Sequence, residues 1–323
     1  MPLKNYLMIM LAVTALITVT SCKKNDPPAP APVLLIQDTL SAGWTKQVVQ
    51  GEPSFGDIFF NSPATGYAVG SKVYKSTDGG NTWLPVLINT NLFNIFVTND
   101  SKAFFVSTGN IIVRTIDNGN TFMNTTLSAL PEDIFFTDNN TGYSTTQDGL
   151  YKTADAGVSW TKVITTGLPA DMYYSTLYCL NNTTGWICNS TGIYKSVGSL
   201  ASWQQATITG GTGLNFVSIF ATSPSNIYAA NYRSEVYRST NGGTSFSLVK
   251  KLSAAEGYTD IHFLDDLTGY ASVGAVVLKT TDGGINWSRV VFLANNKVNE
   301  IHFTDAAHGW ACADSGVIVT FRQ

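Results

Sequence analysis

Apolar residues in this chain come in short runs, each cut off by Gly, Asn, Asp, Ser or Thr. Asp57-Ile-Phe-Phe60 is one such run, followed by the polar stretch Asn61-Ser-Pro-Ala-Thr65. Gly66-Tyr-Ala-Val69, Lys72-Val-Tyr-Lys75 and Thr82-Trp-Leu84 complete the first set. Runs this short, rich in Val, Ile, Tyr and Phe and bounded by turn formers, predict four β-strands rather than helix. The register then repeats. Asp57 lies ten residues before Tyr67, and the same spacing joins Asn94 to Phe104, Asp133 to Tyr143 and Thr176 to Trp186. It continues in Ser218 to Tyr228, Asp260 to Tyr270 and Glu300 to Trp310, which makes seven units.

Between the third and fourth strands stands a recurring phrase. It reads Ser76-Thr-Asp-Gly-Gly-Asn-Thr-Trp83 in the first unit and returns, more or less worn, ending at Phe122, Trp160, Trp203, Phe246 and Trp287. Steps of 38 to 43 residues signal a repeat array or propeller. The seventh unit ends after its third strand, while Gly43-Trp-Thr-Lys-Gln-Val-Val49 is an orphan fourth strand near the front. A ring in which the N-terminal strand completes the last blade hides both edges. The expected fold is all-β: a seven-bladed propeller of four-stranded blades over residues 43–323.

Within the phrase, a short acid or amide can bond the backbone a few residues on, and Gly supplies positive φ without steric cost. Asp78, Asp117, Asp155, Asn241 and Asp282 therefore read as structural turn residues. One acid per turn lacks the oxygen-rich ligand set that calcium requires. This S/T-x-D-x-G-x-T-W phrase resembles the Asp-box, or BNR, repeat of sialidases, sortilin-type receptors and photosystem II stability/assembly-factor-like proteins. Gly66-Tyr-Ala-Val-Gly70, followed by Lys75-Ser-Thr-Asp-Gly-Gly-Asn-Thr-Trp83, is most similar to the last group, and the resemblance spans residues 43–323. It implies a non-enzymatic binding or assembly module whose partner is another envelope or membrane-associated protein.

The front of the chain carries an address. Lys4 precedes an apolar stretch, Tyr6 to Val19, and Val19-Thr-Ser-Cys22 follows. A charged head, a short apolar segment and small residues before a cut site read as a signal peptide, residues 1–21. The Cys makes it resemble a bacterial lipoprotein signal, with Cys22 acylated. Pro27-Pro-Ala-Pro-Ala-Pro32 lies in an extended tether, residues 22–42. The expectation is an extracytoplasmic monomer held by lipid to a bacterial membrane, at the outer membrane or cell surface. A net charge of −3, with 13% charged residues, offers no basic field for nucleic acid. Neither a cofactor nor a metal is implied.

Several constellations of side chains could carry chemistry. Sialidases need a cluster of arginines, but Arg114 and Arg238 occupy a repeat position that is Lys75, Lys152, Lys195 or Lys279 elsewhere. That position reads as a snorkelling residue on the third strand. A carbohydrate-active or glycan-binding propeller remains the alternative, because Asp57, Asp133, Asp260 and Glu300 open innermost strands and would crowd one channel mouth. The competing view is that each caps the start of its own strand, as Asn94, Thr176 and Ser218 do. His262 and His302 follow acids by two residues in consecutive blades; they could share a metal, or pack like the aromatics Phe59, Phe96, Phe135, Tyr178 and Phe220 at that repeat position. Cys179 and Cys188, on adjacent strands, read as free buried thiols before a disulfide. Where the repeat is broken, Tyr173, Tyr174, Tyr232 and Arg233 fall in blades four and five, as candidate partner-binding residues.

Overall fold

Seven antiparallel meanders follow one another round a ring, each running from an innermost to an outermost strand. The computed structural model describes residues 37–323, apart from 88–91, 100, 174 and 256. The signal segment, Cys22, the tether to residue 36 and Tyr174 lie outside the described residues. The innermost strands are Asp57–Phe60, Leu92–Asn99, Pro131–Phe136, Thr176–Cys179, Phe216–Ala221, Thr259–Phe263 and Val298–Asp305. Every described strand belongs to one of these seven sheets. The seven-bladed propeller read from the repeats is the fold.

The ring closes as the orphan strand requires. Trp44–Val48 pairs antiparallel with Val317–Arg322, with Trp44 opposite Phe321 and Val48 opposite Val317. The indole of Trp44 is buried, its ring 6.3 Å from Tyr270, 6.1 Å from Phe303 and 5.3 Å from Phe321. Residues ahead of Gly43, expected in the tether, already belong to the folded body: Thr39–Leu40 adds a fifth strand to blade six, Thr39 opposite Phe292. Thr207–Thr209 likewise adds a parallel fifth strand to blade five. Neither segment carries an alternating apolar pattern, because each lies on an outer edge.

The Asp-box turn is a closed set of hydrogen bonds. Ser76 Oγ donates to Asp78 Oδ1 (2.8 Å) and accepts from the Gly80 amide (2.7 Å). Asp78 Oδ1 accepts the Thr82 amide (2.9 Å), and Oδ2 accepts the Thr82 hydroxyl (2.6 Å). The same net recurs around Asp117, Asp155 and Asp282. At Asn241 the amide takes over, its Nδ2 donating to Ser245 Oγ at 2.9 Å. These bonds hold the chain as far as Thr82, so the outermost strand starts at Leu84, after the Trp rather than before it.

Each box also joins neighbouring blades. Trp310 Nε1 donates to Gly79 O (2.8 Å), across the closure, and Trp186 Nε1 to Gly242 O (3.1 Å). A Cβ on Gly243 would stand 2.1 Å from Trp186 Nε1, so only glycine fits there. The basic residue before the box is exposed at Lys152, as a snorkelling side chain would be, but in the first blade it is not. Lys75 is buried, lies 5.7 Å from the ring centre of Tyr67, and donates from Nζ to Asn118 O in the next blade's box at 2.8 Å. Its charge is satisfied by carbonyl oxygens, which the local sequence does not reveal.

Cys179 faces Gly185 and Cys188 faces Thr176, so the two thiols are not cross-strand partners. Cys179, Cys188 and Cys312 are free and buried. Truncating the closure residue tests this architecture. Trp44→Ala should lower unfolding free energy by about 3–5 kcal/mol, and deleting residues 43–50 should leave an open edge that aggregates. Denaturant titration and light scattering measure both effects, and unchanged values would refute a load on this strand.

Candidate functional site

Side chains two apart on a strand share a side. On the seven innermost strands this stacks two layers around a central cavity of about 1200 Å³. The lower layer is aromatic and unbroken. Ring centres are 5.1 Å apart from Phe59 to Phe96, 4.8 Å from Phe96 to Phe135 and 5.1 Å from Phe135 to Tyr178. The circuit continues at 5.1 Å to Phe220, 4.6 Å to His262, 5.4 Å to His302 and 4.3 Å back to Phe59. Polar members reach the next blade's backbone. Tyr178 OH donates to Ala221 O (3.1 Å), and His302 Nε2 bonds Phe60 O (2.7 Å).

Both imidazoles therefore pack in the ring. Burial pushes His302 down to about 4, and burial together with His302 holds His262 well below the usual range. Among the described residues no three His, Cys, Asp or Glu side chains are grouped to hold a metal.

The upper layer contains the seven strand-opening residues. Asp57, Asp133, Thr176, Ser218 and Asp260 reach across to the next blade, beyond the capping of their own strands that the repeat position suggested. Asp57 Oδ2 accepts the Ile95 amide at 2.7 Å, and Asp133 Oδ2 accepts the Leu177 amide at 2.7 Å. Asp260 Oδ2 accepts the Ile301 amide at 3.1 Å, while its Oδ1 accepts Ser218 Oγ at 2.8 Å. Ser218 Oγ in turn accepts the Ile261 amide at 3.2 Å. Asp133 also takes its own strand's amide, Ile134, at 2.8 Å, and Asp57 and Asp260 likewise interact with the amides of Ile58 and Ile261 on their own strands. Burial pushes Asp57 up to about 7 and Asp133 up to about 6, despite the amides they accept. Asp260 is raised by burial, and Glu300 is raised well above its ordinary value by burial and by the neighbouring Asp260, to which it is hydrogen-bonded.

Above the acids the cavity opens between loops. Tyr173 and Tyr232 line this mouth, 47% and 43% exposed. Arg233 is not among the lining residues; its Nε stands 2.7 Å from where a Gly213 Cβ would lie, so it packs on the connection between blades four and five. Sequence reasoning missed Tyr258, 38% exposed on the rim, and Lys297, whose Nζ lies 5.6 Å from the Tyr258 ring. Both sit in connections leading into an innermost strand, the kind of segment that had drawn attention to Tyr173. The Asp boxes join third to fourth strands, so they occupy the face opposite this mouth.

A closed ring of seven four-stranded blades, with Asp-box turns on one face and a funnel on the other, defines an Asp-box β-propeller. The family model described as Photosynthesis system II assembly factor YCF48 matches residues 36–200, just over half of the chain, and the chain belongs to that family. A solved structure of YCF48 bound to D1 peptide is 16% identical with a TM-score of 0.72, over 91% of this chain and all of that one. YCF48 from Cyanidioschyzon merolae is 20% identical with a TM-score of 0.71, over 87% and 99%. A catalytically inactive virginiamycin B lyase from Staphylococcus aureus with quinupristin also matches, at 12% identity and a TM-score of 0.72 over 87% and 99%. These are likenesses of fold. No curated protein matches the chain.

The buried acids give a signed pH test. Asp57 binds its proton more tightly folded than unfolded, a contribution present below about pH 4 and lost as pH rises through the folded value. The histidines run the other way, losing stability as pH falls from about 6.5 toward their folded values. Asp57→Asn should therefore melt higher than the parent at about pH 8, by a margin on the order of 1–4 kcal/mol that shrinks toward about pH 5. Scanning fluorimetry across that range reads the difference, and a pH-independent gap would contradict it.

Proposed function

We propose that this propeller captures an extended segment of another membrane-associated protein in its funnel mouth and acts as a non-enzymatic assembly module. The observation that carries the reading is the coincidence of three exposed tyrosines, 173, 232 and 258, on connections that depart from the repeat around one large opening. Tyrosine brings contact area at low entropic cost and is enriched at interface anchors. Membership of an assembly-factor family supports this reading, as does a YCF48 structure that holds a peptide. The partner is an envelope protein, the propeller is monomeric, and Cys22 carries the lipid that holds it to an outer membrane or cell surface.

The first described residues pack on the mouth side of blade six. Asp38 Oδ1 accepts the Ala294 amide at 2.7 Å, at the mouth-side end of the outermost strand of blade six. Substituting Cys22→Ser should move the protein from the membrane fraction to the soluble fraction; retention at the membrane would remove the lipid from this account.

The glycan reading draws on the same cavity, since four carboxyls and a tyrosine rim stand together. A glycosidase, however, keeps its two carboxyls about 5 Å or more apart with the bond between them. Asp260 and Glu300 are hydrogen-bonded to each other, and Asp57 and Asp133 hold backbone amides. This geometry supports binding over hydrolysis, and a fluorogenic glycoside panel should show no turnover.

A photo-crosslinking amino acid in place of Tyr232 should yield adducts in native membranes, whereas one in place of Ile285, exposed on the Asp-box face, should not. Tyr173→Ala combined with Tyr232→Ala should cut capture at least about tenfold with an unchanged melting temperature. Equal adducts from both faces, or full capture by the double variant, would refute the mouth as the docking site.

A further inference from the structure

The funnel is more acidic than the joints between blades require. Asp57, Glu132, Asp133, Asp260, Glu300 and Asp314 line it, against the ammonium of Lys297. Yet Ser218 makes the same cross-blade joint with a neutral hydroxyl, accepting the Ile261 amide at 3.2 Å. A neutral oxygen serves the fold, and a buried carboxyl in its place carries a desolvation cost. Glu300 departs furthest, since its carboxyl bonds Asp260 instead of serving as a simple strand joint. Acid at these positions is in excess of architecture.

A separate observation points to a missing donor. Ser175 lines the funnel and is 2% exposed, and its Oγ has no hydrogen-bond partner. Asn94 Oδ1, in the acid layer, is a buried acceptor that also lacks a partner. Buried polar atoms are seldom left in this state unless something else supplies their bond. Asn94 Oδ1 can only accept and the Ser175 hydroxyl can accept as well as donate, so both are open to a hydrogen-bond donor, and carboxyls keep spare lone pairs beside them. Above them stand Tyr173, Tyr232 and Tyr258, whose ring faces attract cations.

We propose that the funnel receives a basic side chain, arginine or lysine, projecting from the extended segment captured at its mouth. The inference rests on the peptide-capture reading and adds its specificity. The cation passes the tyrosine rim and brings N–H donors to the acid layer, where Ser175 and Asn94 accept. Its alkyl stem lies along the apolar walls, as long basic side chains do elsewhere. A captured segment with an acid or a neutral polar residue at this point adds no counter-charge to that of Lys297, and binds more weakly.

The test uses the intact chain and four blocked pentapeptides, Ser-Gly-Xaa-Gly-Ser, with arginine, lysine, citrulline or glutamate at Xaa. Calorimetry at about pH 6.5, in two buffers of different ionisation heat, should show the arginine and lysine peptides binding with release of protons. A cation beside a buried protonated carboxyl drives the proton off, and a merely structural acid layer would not respond. Citrulline and glutamate peptides should bind at least about tenfold more weakly. Ser175→Ala and Glu300→Gln should each weaken the arginine peptide at least about fivefold, with melting temperatures confirming the fold. Equal binding of arginine and citrulline, no binding of any peptide, or proton uptake would overturn the proposal. If Tyr232 still crosslinks its partner in that event, the capture reading stands and only the basic specificity falls.

Discussion

Each innermost strand is held to the next by a side chain that crosses the gap between blades, and the rest of the molecule depends on that contact. Asp57, Asp133, Ser218 and Asp260 take an amide of the following blade, and the aromatic two residues on touches its neighbour's ring. Repeated seven times, the contact returns to its start at His302 and Phe59. An open stack would leave two such interfaces unsatisfied, and in a linear repeat array the end units fray first. Closure removes the ends. The pairing of Trp44–Val48 with Val317–Arg322 is thus the outer half of a closure whose inner half is the aromatic circuit.

Asp boxes and inner strands divide the work between the two faces. On one face Asp78 and its counterparts stiffen turns that also accept an indole or a lysine from the preceding blade. On the other, the connections from an outer strand to the next inner one and the turns between second and third strands are free to vary, since no box holds them. That freedom is where Tyr173, Tyr232 and Tyr258 accumulate, above a cavity whose lower wall is the aromatic circuit. Function is grafted where architecture makes no demand.

Much of this was legible because the repeat enforces it. The ten-residue spacing from Asp57 to Tyr67 marks a hairpin, so blade count and closure followed from counting it. His262 and His302 could be assigned to packing from the aromatics at the same repeat position. What failed to show was whatever depends on a neighbour in the next blade. Lys75 looked like a surface residue, yet its partner is Asn118. The acid layer looked like a set of local caps, although the amides it holds lie about forty residues downstream, one full repeat away. Thr39–Leu40 looked like tether, because an edge strand needs only backbone bonds and leaves no apolar signature. Arg233 sits next to Tyr232 in sequence but outside the funnel, turned onto Gly213 by the bend at residues 231–235.

Native-state hydrogen exchange tests the central claim most directly. If the side chains crossing between inner strands make the ring a single cooperative unit, the amides of Ile95, Leu177, Ile261 and Ile301 should exchange with one common free energy. The paired amides of Trp44–Val48 should share it. Exchange that is faster at blades one and seven than at blade four, or release of the N-terminal strand well below global unfolding, would mean the blades are held one by one and the ring is not closed.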